Sequence, residues 1–217
     1  MNLQDPDELL KMVDGSGVTV PKTKRGEATF NRLLQAAEEV FGEKNYYEAS
    51  IVDITNRAGV GQGTFYLYFK SKKDIFVELI KHLHHEIRSF IQQTIASIPN
   101  RIDAEKAGVA AYYQFSLKHR NLNKLVRDCE CVEPALWQWY YNSFAMAHAR
   151  HLKAAMDRGE IARANPEALA YCLLGIGLFT AMRWPVWEGQ LPPEEIMESV
   201  FCFIAGGLTP KDSLAGD

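Results

Sequence analysis

An all-α fold is predicted for this 217-residue chain. Two observations carry that prediction. Apolar residues recur at i, i+3, i+4 and i+7 in segment after segment, the period of a helix with one buried face. No segment combines sustained period-2 alternation with hairpin turns, so no strand is predicted. The length suits one large domain or two small ones, with ample material for a core.

The elements follow in order. The first twenty or so residues read as an arm: "DGSGVTVPKTKRG" carries Gly, Ser and Pro without helical period, and it ends in the basic Lys22, Lys24 and Arg25. Residues 1–24 are therefore expected to be flexible. Phe30, Leu33, Leu34, Ala37 and Phe41 then form one apolar stripe, with Gly42 near its end. In "SIVD", Ser50 and Asp53 have the spacing of a capping box. Ile51, Ile54 and Ala58 give the next short helix its buried face, and Gly59 stops it. A second short helix is predicted over Gln62–Tyr68. "SKKD" repeats the capping device with Ser71 and Asp74 and opens a long helix, whose apolar side runs from Phe76 through Leu83 and Ile87 to Ile91. Further helices are predicted near Asp103–His119 and Asn121–Val132. Another runs from Pro134, a favoured first helical residue, to Arg158 before Gly159. Asn165-Pro166 starts the next, which Pro185 should end, and Pro192-Pro193 starts the last, which fades at Gly206-Gly207. A boundary is placed near residue 87, inside the long helix, which divides the chain into 25–87 and 88–217.

Composition narrows the class. With 24 Lys and Arg against 27 Asp and Glu, the net charge is −3, so any nucleic-acid binding must rest on local charge. The N-terminus is acidic and has no apolar core of a secretory signal. The longest apolar run, Ala168 to Met182, is shorter than the roughly 18 residues of a membrane span and reads as a buried helix. Four cysteines are too few and too scattered for a disulfide framework in a chain this long, and a cytoplasmic location without a membrane is expected.

The stretch "GVGQGTFYLYFKSKKDIF" is the most informative. Two short helices joined through a glycine-containing turn are the elements of a helix-turn-helix, whose second helix enters the DNA major groove. Phe65 and Phe69 are spaced to anchor that helix to the core. Gln62, Thr64, Tyr66 and Tyr68 face elsewhere. Gln pairs bidentately with adenine, Thr contacts a base or the thymine methyl, and Tyr hydroxyls reach phosphate. Gly61 and Gly63 keep the helix start free of bulk. Lys70, Lys72 and Lys73 make sense as a phosphate clamp at the start of the following helix. Taken singly, a lysine cluster also fits a solvated face, and aromatics at helical spacing also fit a core; the ordered combination is far more specific.

Residues 27–87 resemble the DNA-binding domain of the TetR family of bacterial transcriptional repressors. The resemblance rests on Ala37, Phe41, Ile51, Ile54, Ala58, Gly59, Val60, Gly63, Thr64, Tyr66, Tyr68, Phe69, Ser71 and Lys72. The chain departs from the family pattern at Thr55, where alanine is usual, and at Asn45-Tyr46, where Gly-Tyr or Gly-Phe is usual. The resemblance implies a three-helix DNA-binding domain followed by about six helices for ligand binding and dimerisation. It carries DNA contacts to Gln62, Thr64, Tyr66, Tyr68 and Lys72, with Ser50 and Ile51 near the backbone. It also implies a homodimer on a palindromic operator, joined through a four-helix interface from the last two helices, and no enzymatic activity.

The effector must be read from the residues themselves. Trp137, Tyr140, Tyr141 and Phe144 recur at helical spacing; Tyr113 and Phe115 precede them, and Phe179 and Trp184 follow. Aromatic walls with polar tips suit an apolar or aromatic small molecule, although the same residues also fit plain core packing. Arg183 follows a long apolar run and needs a partner: a ligand anion, a protein carboxylate or solvent. The leading reading is a ligand-released repressor. A thiol switch through Cys129 or Cys131 is an alternative, with inert burial favoured for Cys129. A metal-binding protein or enzyme using His82 and His85 is a weaker one, because the chain shows no third ligand, phosphate loop or catalytic dyad. No cofactor and no metal are therefore expected.

Overall fold

The computed structural model describes residues 5–13 and 17–210. Ten α-helices occur among them: α1 Pro6–Met12, α2 Lys24–Glu48, α3 Ile51–Ala58, α4 Gln62–Tyr66, α5 Lys72–Ile95, α6 Arg101–Lys118, α7 Leu122–Val132, α8 Pro134–Asp157, α9 Pro166–Ala181 and α10 Glu194–Leu208. A π-helical segment, Met182–Glu188, continues α9. No strand occurs among the described residues; Val18 and Phe69 make one isolated antiparallel bridge.

The chain divides into two compact units. The first holds the described residues up to His85 together with Asn121–Tyr141, and the second holds Glu86–Arg120 with the residues from Asn142 onward. The division on α5 falls after His85, and α7 and the start of α8 belong to the first unit.

In the first unit, the stripe of α2 is buried from Phe30 to Phe41, because 3.6-residue periodicity brings these side chains to one face. Phe30 stacks on Phe69 with centroids 5.0 Å apart, and Phe41 meets Phe76 edge-on at 5.3 Å. α7 lies along α2 and buries Leu125, Val126 and Cys129. Gly42 lies three residues before the break in α2. A Cβ there would fall 2.0 Å from the Asn121 side chain, so glycine permits the α2–α7 approach. The break comes at Asn45, with φ 62° and ψ 170°, a conformation that otherwise belongs to glycine. The Asn45 side-chain oxygen compensates by accepting the Tyr47 and Glu48 amides at 3.0 and 3.2 Å.

Of the expected N-terminal arm, residues 1–4 and 14–16 lie outside the described residues. Within it, Asp5 caps α1 by accepting the Asp7 amide, and Leu9 and Val13 are buried.

In the second unit, α6 packs against α9, α10 and the π-helical segment. Asn165 caps α9 by accepting the Glu167 and Ala168 amides, both at 3.0 Å, with Pro166 as first helical residue. Pro185 does not end the helix as expected. It lies inside the wider π-helical segment, which ends at Gly189 with φ 69°. α9 is also not buried all round. Ala170, Leu173, Gly177 and Ala181 line its inner face, while Phe179, on the opposite face, is 68% exposed.

Candidate DNA interface and effector region

The helix-turn-helix is built by local chemistry. Ser50 accepts the Asp53 amide at 3.1 Å and Asp53 accepts the Ser50 amide at 3.0 Å, the predicted capping box. A hydrogen bond from Lys44, then those from Ser50, hold the Asp53 carboxyl down at about 2. Gly59 ends α3 with φ 65°, the left-handed conformation that turns the chain toward α4. α4 is two residues shorter than predicted: past Tyr66 the Leu67 and Tyr68 amides close tighter turns onto the Thr64 and Phe65 carbonyls.

Phe65 and Phe69 are fully buried and seat α4 on the core. On the other side Gln62 and Tyr66 are exposed, and Thr64 and Tyr68 are half-buried. A Cβ added at Gly61 or Gly63 would meet nothing within 4 Å, so packing inside this chain does not require glycine there. Gln62 and Tyr66, one turn apart, thus present an exposed edge of α4, while Thr64 lies half-buried on another side of the helix. Ile51 is half-buried, and the Ser50 hydroxyl is occupied in the capping box.

The lysine cluster requires a correction. Lys72 does not extend as a phosphate clamp. Its ammonium donates to the Tyr46 and Ala49 carbonyls, both at 2.8 Å, and to Tyr47 at 3.3 Å. These are carbonyls at the end of α2, where a cation complements the helix dipole. Burial lowers the pKa of Lys72, and the ammonium lies 4.6 Å from the Tyr46 ring centroid. Lys73 pairs with Glu133 at 2.5 Å. Of the three lysines, Lys70 is the exposed one.

The expected effector residues separate into groups. In the first unit Tyr140 is buried, Trp137 and Tyr141 are half-buried, and Tyr141 meets both rings edge-on at 5.7 and 5.3 Å. Burial raises the Tyr141 pKa. In the second unit Tyr113 is fully buried and donates to the Thr180 hydroxyl at 2.7 Å. Phe115 stacks on His119 at 4.4 Å, and Phe144 is half-buried. Two of these side chains lie at the surface. Phe179 faces outward. Arg183 is exposed, bonded to Glu188 and 5.7 Å from the half-buried Trp184 ring, which is the protein-carboxylate alternative.

Some residues were missed. His84, not His82 or His85, is the buried histidine, 4.4 Å from the Trp139 ring; its place on the Ile80, Leu83, His84, Ile87 stripe was the available signal. Glu105 is buried between Arg101 and His148, whose Nε2 lies 2.8 Å from both carboxylate oxygens. No single-helix pattern announces a pairing across 43 residues. Cys129 is fully buried and burial drives its thiol pKa up, which disfavours the thiolate; Cys131 is exposed. Among the described residues no three His, Cys, Asp or Glu side chains gather as metal ligands.

A glycine-turned helix pair with an open polar face on its second helix defines a helix-turn-helix DNA-binding protein. Residues 33–79 match the family model "Bacterial regulatory proteins, tetR family". The chain is 28% identical over 194 residues to the uncharacterized HTH-type transcriptional regulator YdgC of Bacillus subtilis, covering 86% of this chain and 96% of that one. It is 34% identical over 95 residues to the fatty acid metabolism regulator protein of the same organism, covering 43% and 47%. The structure of the fatty acid degradation regulator FadR from Bacillus halodurans shares the fold, with a TM-score of 0.72, 16% identity and coverage of 85% and 96%. The family match places a TetR-type DNA-binding domain at residues 33–79, and over most of its length the chain is similar to an HTH-type transcriptional regulator.

Proposed function

We propose that this regulator is a ligand-responsive repressor: a homodimer occupies a palindromic operator, and an apolar or aromatic small molecule releases it. The observation that carries this reading is the exposure of Gln62 and Tyr66 on α4, beside two glycines that packing within the chain does not require. Base-edge donors and acceptors on a helix seated by two buried phenylalanines are what major-groove readout needs. The DNA contacts are assigned to Gln62, Thr64, Tyr66 and Tyr68, with Ile51 and the Ser50 backbone beside the phosphates. Lys72 is assigned to holding α2 and α5 together.

The second subunit is placed on the outward faces of α9 and α10. Phe179 and Phe203 are 68% and 72% exposed, and Gly175 and Gly206 have open space beside them. An apolar strip of this kind marks a protein contact. It also accounts for the apolarity of Pro166–Glu188, which by length and composition alone could cross a membrane. A cytoplasmic location follows from this reading. The effector is taken as apolar or aromatic because Trp137 and Tyr141 are large, half-buried and tipped with polar atoms, and relatives named for fatty acid metabolism are consistent with an apolar ligand.

The test begins with selection of duplexes from a random-sequence library on the purified protein. An inverted repeat should emerge, with half-site centres about 34–36 Å apart or a multiple. Small molecules that co-purify with the protein, identified by mass spectrometry, are then titrated against the complex. Recovery of no repeat would defeat the operator reading; a repeat that no co-purified molecule releases would defeat the effector reading.

A further inference from the structure

The N-terminal segment closes a backbone clamp on the exit of the recognition helix. The Thr19 amide donates to the Tyr68 carbonyl at 2.8 Å, and the Lys70 amide donates to the Gly17 carbonyl at 3.0 Å. Val18 and Phe69 are bridged antiparallel between these two bonds. Tyr68–Lys70 lies between α4 and α5, where neither helix satisfies the Tyr68 carbonyl or the Lys70 amide, so the N-terminal segment supplies both partners.

The clamp is fixed at each end. Gly17 is buried, and a Cβ there would fall 2.1 Å from an Asp74 carboxylate oxygen. Asp74 in turn holds Ser71 at the start of α5, accepting its hydroxyl at 2.6 Å. At the other end Thr23 caps α2 by accepting the Gly26 amide at 3.1 Å. The Phe69 ring is pinned independently by Phe30 at 5.0 Å.

We infer that residues 17–20 are a positioning strap that fixes the aim of α4 before DNA arrives. The inference rests on the DNA-binding reading above. α4 is only five residues long and too short to hold its own direction. With its exit tied on the backbone, the base-reading face is presented already ordered, and the cost of ordering it is not charged to the DNA complex. The strap acts through hydrogen bonds to α4's exit and not through phosphate contact.

Thr19→Pro tests this. Proline removes the one donor to Tyr68 and demands an extended Val18, which is extended already, so the chain path is kept. Thr19→Ala keeps the donor and is the matched control. The probe is a duplex selected from a random library on the wild-type protein. The expected result is weakening of about fivefold or more for Thr19→Pro and wild-type affinity for Thr19→Ala. The salt slope should stay unchanged, because no phosphate contact is lost. A second measurement needs no variant: in the wild-type protein the Lys70 amide should exchange with solvent as slowly as the amides of α2.

Wild-type affinity in a folded Thr19→Pro protein would overturn the strap, as would rapid exchange at Lys70. Weakening with a flattened salt slope would also overturn it, by marking the segment as a direct DNA contact. Failure of the wild-type protein to select any duplex would overturn the DNA-binding reading itself, a distinct result.

Discussion

The Lys72 ammonium lies 2.8 Å from the Tyr46 carbonyl and 4.6 Å from the centroid of the Tyr46 ring. One lysine thus closes the end of α2 and covers the aromatic ring that packs on Phe76 at 4.9 Å. Lys72→Ala should lower stability by about 1–3 kcal/mol, the range for hydrogen bonds to a charged group. The salt dependence of DNA binding should keep its slope, because a lost phosphate contact would change it by about 0.9. Denaturant unfolding and binding at several salt concentrations separate the two roles, and a flattened slope would return Lys72 to the phosphates.

Gln62 should read sequence. Gln62→Ala is expected to cost about 1–3 kcal/mol on the selected operator and to relax preference at one position in each half-site. Competition between operator and random duplex measures this. Equal weakening on both would remove Gln62 from the base edges.

Asn45 carries strain that its side chain partly offsets. Asn45→Gly should raise stability by about 1 kcal/mol by relieving the positive φ. Asn45→Ala should lower it by about 1–2 kcal/mol, because the strain remains and the cap is lost. Thermal unfolding of the three proteins should rank Gly above Asn above Ala; any other order would show that the caps or the strain are misjudged.

Glu105 should make stability depend on pH. Burial alone would raise its pKa, but the His148 hydrogen bond and the neighbouring cations bring it below the ordinary glutamate value. Its contribution is therefore complete above the unfolded-state pKa of about 4.3 and is lost as pH falls through the lower folded-state value. Glu105→Gln should cost about 3 kcal/mol at pH 7, because Arg101 and His148 lose their carboxylate. The gap between variant and wild type should narrow by pH 3, and a gap independent of pH would exclude this linkage.

Phe203→Asp should split or unfold the proposed dimer, since it sets an unpaired charge in the proposed apolar contact. Light scattering reads the mass directly. A dimeric Phe203→Asp protein with normal operator affinity would move the subunit contact elsewhere.

Much of the first unit was legible because its helices obey one-dimensional rules. The Phe30–Phe41 stripe, the Ser50–Asp53 box and the Gly59 turn each depend on residues within a few turns of one another. The departures share a different cause. Lys72 was assigned by its place beside two other lysines, but its direction is set by carbonyls more than 20 residues upstream. The close approach of Gly42 to Asn121 joins segments far apart in sequence. Phe179 and Arg183 continue an apolar run, yet one turns outward on α9 and the other follows a π-helical segment that no periodicity signals. At the candidate site, seating by Phe65 and Phe69 was readable from spacing, whereas the bonds to residues 17–20 join segments with no shared pattern.

With the subunit contact proposed on α9 and α10, abundance becomes a thermodynamic variable for this protein. A protomer alone leaves Phe179 and Phe203 in water, so its folded state is stabilised by mass action as copies accumulate. At low copy number the free chain is the more fragile species, and an operator that gathers two protomers side by side acts as a local concentrator. Regulation then has a threshold set by synthesis and proteolysis as much as by the effector, and the gene that encodes the protein influences how well each copy folds.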